Sequence, residues 1–282
     1  KRPVLSAVFS LLLVIFGLYT FFELSTRELP KNLQPPEVVV STKYTGASPS
    51  IIASEISEPI ELETVNNIFS NPLGLESFSV ILGTFAFGIQ LYCDFSGYSD
   101  IAIGAAAILG FKIPLNFNKP FFASSPSDFW TRWHISLSTW VRDYLYYPLV
   151  FKNRKSGGLV FISLLISMLL MGIWHGASWN FLIWGGIHGL ILACYTILRK
   201  NLPKISSNDF FKSKIGKTSS IFVTQYLVFF TFIAFWMKDF EHMVYAMQKY
   251  VFLDFALDGT IQIIRENEFP ILLIILFVIL HV

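Results

Sequence analysis

The chain has 282 residues, of which 54% are hydrophobic, 17% aromatic and only 14% charged, with a formal net charge of +2. Soluble domains carry about 25% charged residues, so this balance, with a mean hydropathy of +0.57, excludes an ordinary water-soluble fold and points to a lipid bilayer. So small a net charge offers nothing to attract nucleic acid, and the two cysteines, Cys93 and Cys194, lie in apolar surroundings without metal-ligand spacing, so neither a disulfide framework nor a metal site is expected.

After Lys1-Arg2-Pro3, an apolar run of about 19 residues, Val4 to Phe22, is long enough to cross a membrane. No small-residue cleavage site follows it, which predicts an uncleaved anchor with a cytoplasmic N-terminus. The chain then turns polar from Glu23 to about Asn67. Pro30, Pro35 and Pro36 lead into Val38-Val39-Val40-Ser41-Thr42, whose β-branched residues predict a strand. Gly46 supplies a turn, Ser48 a cap and Pro49 a first helical position, and Ile52, Ile56 and Ile60 recur at helical spacing. The expectation is a short α/β segment outside the membrane.

From Ser77 to Cys93 the sequence predicts a second span, ending at Asp94-Phe-Ser-Gly-Tyr-Ser-Asp100. This stretch reads as a helix-breaking loop. Its two carboxylates either act together on a cation or a proton, or are satisfied by neighbouring hydroxyls and backbone N–H groups. Ile101 to Phe111 is small and apolar, suited to close helix packing, and Pro114 to Pro120 closes it. Pro126-Ser127-Asp128 starts a helix. From Phe129 the pattern predicts one amphipathic helix with Trp130, His134, Leu137, Val141 and Tyr144 on one face and Arg132, Ser136, Thr139 and Asp143 on another. His134 is then either a satisfied core residue or a proton-handling group.

Lys152-Asn-Arg-Lys155 is a compact basic loop that the positive-inside rule places in the cytoplasm. Arg199, Lys200, Lys204, Lys212, Lys214 and Lys217 form a second one. Between them, Met171-Gly-Ile-Trp-His-Gly-Ala-Ser-Trp-Asn180 sets His175 between two apolar runs, at the far end of a hairpin or in a re-entrant break. An ionisable side chain in such a place marks a functional site by default. The alternative is a histidine at a watered helix end, bonded to a carbonyl and chemically idle. His188, among glycines, reads as structural. Ile221 to Trp236 predicts another span, Lys238 to His242 an interfacial stretch, and Pro270 to Val282 an apolar helix too short to cross, within which the chain stops.

Two resemblances divide the sequence. Residues 1–68, through Pro35-Pro-Glu-Val-Val-Val-Ser-Thr42, Tyr44-Thr-Gly-Ala-Ser-Pro49 and Glu58-Pro-Ile-Glu61, resemble the N-terminus of resistance-nodulation-division efflux transporters, which implies a first membrane helix and the opening of a periplasmic domain. Residues 69–282 resemble the membrane-bound O-acyltransferase family, especially alginate O-acetyltransferases. The residues carrying this are Tyr92-Cys-Asp-Phe-Ser-Gly-Tyr-Ser-Asp-Ile-Ala-Ile-Gly104, Asn116-Phe-Asn-Lys-Pro120, Asp128-Phe-Trp-Thr-Arg-Trp-His134, Arg142-Asp-Tyr-Leu-Tyr146 and Gly172-Ile-Trp-His-Gly-Ala-Ser-Trp179.

The second resemblance implies an all-α, multi-span fold in the bacterial cytoplasmic membrane, with His175 as the catalytic histidine and His134 as its polar partner. It further implies no bound cofactor, acetyl-CoA as the acyl donor, and a hydroxyl of an extracytoplasmic polysaccharide or cell-wall polymer as acceptor, reached through a periplasmic or extracellular partner protein. The residues fit such chemistry. A desolvated imidazole serves as base at pH 7, His134, Trp174 and Trp179 offer N–H donors for an oxyanion, and Arg132, Arg142 or the basic loop can meet coenzyme A phosphates. The expectation is a composite of a transporter-like head and a partial acyltransferase core. The alternative is a non-catalytic transporter fragment or an inactive fusion product.

Overall fold

A computed structural model describes residues 60–151, 157–201 and 209–281. The expected anchor, strand and amphipathic helix of the head lie outside these residues, apart from Ile60, as does the basic loop at 152–155. Among the described residues all regular structure is helical. A π-helical turn, Ile60–Val65, runs into α1 (Asn66–Phe69). Helix α2 (Ser77–Ile108) follows, then the short α3 (Pro126–Trp130) and α4 (Ile135–Val141). A second π-helical turn, Arg142–Tyr146, carries α4 into α5 (Tyr147–Val150), where Pro148 withholds a backbone N–H from the ladder.

The hairpin of α6 (Gly157–His175) and α7 (Trp179–Asn201) comes next, followed by α8 (Asp209–Lys212), α9 (Lys214–Trp236), α10 (Phe240–Val251), α11 (Asp258–Glu266) and α12 (Glu268–His281). Four of these, α2, α6, α7 and α9, are long and apolar enough to cross a membrane. The described residues form an all-α, multi-pass membrane protein. Helix α12, with 14 residues, rises only about 21 Å at 1.5 Å per residue, short of a hydrocarbon core of about 30 Å.

The faces of α6 show how the spans sort their side chains. Ile162, Ile166, Leu170 and Ile173 recur every three or four residues and are exposed, forming a lipid-compatible stripe. The opposite face buries Val160, Ser163, Ser167, Met168 and Met171. Small residues there let backbones approach where lipid removes any hydrophobic drive between helices. A Cβ on Gly172 would collide with the carbonyl oxygen of Phe181, and one on Gly185 with that of Met168. These two glycines fix the hairpin.

Helix α2 departs from the sequence reading. It runs unbroken through the segment expected to be a loop, because Gly97 and Ser99 face inward and the hydroxyl of Ser96 bonds back to the carbonyl of Cys93 at 3.3 Å, leaving the helix ladder intact. Asp94 and Asp100 are both exposed. Six residues on a helix separate two side chains by about 120°, so these carboxylates do not converge on one cation or proton.

The core is an aromatic cluster where α2, α3, α7 and α9 meet. Phe87 of α2 lies 6.1 Å from Phe232 and 4.8 Å from Trp236 of α9, and Phe121 stacks on Phe229 at 5.5 Å. A polar knot ties the start of α2 to the first turn of α11 and to the segment before it. The Glu76 carboxylate accepts from the N–H groups of Gly259 and Thr260, both at 3.1 Å, and from the Thr260 hydroxyl. Asp254 accepts from Ser77 N–H and from Lys249.

Candidate active site

His175 is the last residue of α6. The turn beyond it is tight. Gly176 N–H donates to the Ile173 carbonyl at 3.2 Å, and a Cβ on Gly176 would press 2.7 Å from the Phe181 ring, so the chain reverses into α7 with the imidazole left at the hairpin tip. Four aromatic rings surround it: Trp174 at 5.0 Å, Trp184 at 5.1 Å, Phe235 at 5.2 Å and Phe181 at 6.1 Å.

His134 arrives from another direction. The single amphipathic helix expected across it does not form. Helix α3 stops at Trp130, and His134 stands in the left-handed region (φ 44°, ψ 55°) as the residue before α4. Its side chain therefore does not share a helical face with Trp130. Such a conformation costs a non-glycine residue about 1–3 kcal/mol and persists only where the surroundings fix it.

Here the Asn116–Lys119 segment does the fixing. Asn118 N–H donates to the Arg132 carbonyl and Ile135 N–H to the Asn116 carbonyl, both at 2.9 Å. The Asn116 side-chain oxygen accepts from Ser136 N–H at 3.2 Å and from its hydroxyl at 2.7 Å, and the Ser138 hydroxyl donates to the Trp133 carbonyl at 2.9 Å. Bonds thus flank His134 on both sides.

The outcome is a pair. The His134 ring meets Phe95 at 4.6 Å and Trp174 at 6.5 Å, so Trp174 touches both imidazoles. Nδ1 of His134 is enclosed with no hydrogen-bond partner, and burial pushes this imidazole down to about 4, so it is neutral at pH 7. A neutral imidazole is the form that takes a proton.

The other residues singled out from the sequence fall elsewhere. Arg132 donates to Asp128 at 2.8 Å and to the Asn118 carbonyl at 3.4 Å, bracing the α3 turn. Burial, which would raise the Asp128 carboxyl, is outweighed by that arginine and by Ser124 N–H, and the group sits below the usual carboxylate range. Arg142 pairs with Asp143 at 2.8 Å and lies 5.8 Å from the Tyr147 ring; with about half its side chain exposed, it is the more accessible of the two to an anionic ligand. His188 is buried and bonds through Nε2 to the Thr231 hydroxyl at 2.8 Å, as a structural histidine should. Trp174 and Trp179 are 64% and 77% exposed, a poor setting for an oxyanion donor.

Sequence reasoning missed Trp184 and Asn180. Both are buried, and the Trp184 Nε1–H and the Asn180 side-chain oxygen have no hydrogen-bond partner. Their signal in the sequence was a polar stripe, Asn180, Trp184, His188, at spacings of four along α7.

A multi-pass helical membrane protein with two imidazoles converging at a hairpin tip is the class that fold and site define. Residues 70–237 match the model of the membrane-bound O-acyltransferase (MBOAT) family, more than half of the chain. The chain belongs to that family. Residues 1–83 match the AcrB/AcrD/AcrF family, in keeping with the transporter-like head, and the two matches overlap at residues 70–83.

Among similar proteins, a probable alginate O-acetylase AlgI of Azotobacter vinelandii is 52% identical over 42% of the chain and 23% of its own length. The peptidoglycan O-acetyltransferase of Helicobacter pylori is 42% identical over 45% of the chain and 24% of its own length. The teichoic acid D-alanyltransferase of Bacillus subtilis is 35% identical over 63% of the chain and 47% of its own length. The chain thus spans about a quarter to a half of the relatives it matches.

Proposed function

We propose that this chain is the core of an O-acyltransferase of the bacterial cytoplasmic membrane, passing an acetyl group from acetyl-CoA to a hydroxyl on an extracytoplasmic polysaccharide or cell-wall polymer. The observation that carries this reading is the convergence of His134 and His175 on Trp174. The fold brings two imidazoles 41 positions apart in sequence to one aromatic cluster at a hairpin tip.

In this reading His175 takes the hydroxyl proton as the oxygen attacks the thioester carbonyl. A tetrahedral oxyanion forms, the C–S bond breaks, and the proton passes to the departing thiolate. A base placed in this way contributes about 10²–10⁴-fold. His134, neutral and held by the Asn116 bonds, orients the second reactant. Coenzyme A brings phosphates that Arg142 can meet, while Arg132 acts chiefly through Asp128. A periplasmic or extracellular partner protein completes delivery to the polymer. The likeness to a probable alginate O-acetylase and a peptidoglycan O-acetyltransferase supports an acetyl group and a polymer hydroxyl.

The test uses membranes carrying the chain completed to the length of its relatives, supplied with acetyl-CoA labelled in the acetyl group. Label is expected in polymer hydroxyl esters. Label that enters polymer esters from another acyl thioester and not from labelled acetyl-CoA would remove acetyl-CoA from the account. The match of residues 1–83 to an efflux family favours a second reading, a fusion product without activity. Membranes that bind acyl thioester and transfer nothing would support it.

A further inference from the structure

Packing accounts for the enclosed ring of Trp184 but not for its N–H. Its ring is 3% exposed and stands nearly perpendicular (87°) to the His175 ring at 5.1 Å, with Phe235 at 5.4 Å and His188 at 4.9 Å. Its Nε1–H is shut away from solvent and has no acceptor. Leaving such a donor unpaired costs about 1–3 kcal/mol.

One turn earlier on the same face, Asn180, also 3% exposed, uses its Nδ2 to hold the Phe235 carbonyl at 3.3 Å and leaves its oxygen unpaired. One turn later, His188 is fully used, its Nε2 on Thr231. Trp184 is thus an unpaired donor whose ring packs directly against His175, while the paired member of the same face, His188, is held by Thr231. A buried unsatisfied donor beside a reactive side chain calls for an explanation in what binds there.

We infer that the Trp184 indole N–H is the hydrogen-bond donor to the carbonyl oxygen of the acyl thioester, and to the oxyanion that this oxygen becomes when the acceptor hydroxyl attacks. This rests on the proposed acyl transfer and adds the residue that stabilises its charge. Three physical points favour Trp184 over the other indoles near His175. Its N–H is already desolvated, so no water need be displaced from it. The aromatic box lowers the local dielectric, which strengthens a hydrogen bond to a developing negative charge. Its ring is fixed by contacts on several sides, so the donor is preorganised, whereas Trp174 and Trp179 are largely exposed.

The test has two arms. In the first, the chain itself, in detergent with ¹⁵N-labelled indoles, is titrated with S-acetonyl-pantetheine, a thioether whose ketone stands in for the thioester carbonyl. One indole N–H resonance, absent in Trp184→Phe, should move downfield on binding. Binding without movement of that resonance overturns the inference alone; no binding by the chain overturns it together with the acyl-transfer reading.

In the second arm, Trp184 is replaced by benzothienylalanine, which keeps the bicyclic shape and lacks the N–H, and acyl transfer is measured in membranes. A fall of about 10²–10³-fold in kcat with donor KM little changed is expected, the effect of losing one oxyanion donor. A fall below threefold, in a variant that unfolds at the wild-type temperature, overturns the assignment while the transfer reading stands.

Discussion

His134 concentrates the residue-scale physics of this site. It holds a left-handed backbone with φ 44°, a conformation that histidine and asparagine tolerate better than branched residues do. His134→Asn is therefore expected to fold as well as wild type, while His134→Val loses about 1–3 kcal/mol through backbone strain, read as a lower unfolding temperature in detergent. The same residue carries a pH signature. Burial holds its imidazole at about 4 against an ordinary 6.5, so the unfolded chain takes up the proton first. Its contribution to stability is constant above pH 6.5 and is lost as pH falls from about 6.5 to about 4. His134→Asn should flatten that part of the stability profile; an unchanged slope would place the titration elsewhere.

His175 was legible from the sequence because an ionisable side chain between two apolar runs stands out without any structure. The geometry of His134 was not. Its turn carries no glycine or proline, and the bonds that hold it come from Asn116 and Asn118, at least 14 residues away, which no local pattern reveals. Trp184 was hidden for a related reason: a tryptophan in an apolar run reads as packing until its N–H is found without a partner.

At the scale of the elements, the α6–α7 hairpin sets where His175 sits, and its glycines differ in what they tolerate. A Cβ on Gly185 meets the Met168 carbonyl, whereas one on Gly186 finds ordinary contact with Leu169 at 3.6 Å. Gly185→Ala should therefore destabilise by about 1–3 kcal/mol, as overpacking does, and Gly186→Ala should be close to neutral. Equal unfolding temperatures for the two variants would refute this packing. The helical spans themselves were well marked by apolar length. The misreading of α2 arose because Gly97 and its serines look like a break in one dimension, yet face the interior of a continuous helix in three.

The knot at Glu76 belongs to this scale too. The Gly259 N–H holds the Glu76 carboxyl below its ordinary range, against a smaller opposing effect of burial. Its stabilising effect is present above pH 4.5 and is lost as pH falls through the lowered value. Glu76→Gln should speed hydrogen exchange at the Gly259 and Thr260 amides while leaving those of α6 unchanged.

Across the whole molecule, the two basic clusters flank the hairpin that ends at His175, and the positive-inside rule assigns both to the cytoplasm. With Cys194 replaced by serine, Ser156→Cys should react with an impermeant thiol reagent from the cytoplasmic face only; reaction from outside alone would invert the topology. The central claim is that the fold gathers His134 and His175 into one acyl-transfer site. The most direct test is acetyl incorporation into polymer by His175→Ala, normalised to membrane protein, beside His188→Ala and His242→Ala. The account predicts a loss of about 10²–10⁴-fold for His175→Ala with normal membrane insertion, far beyond either control, whereas near-normal incorporation by that variant would contradict it.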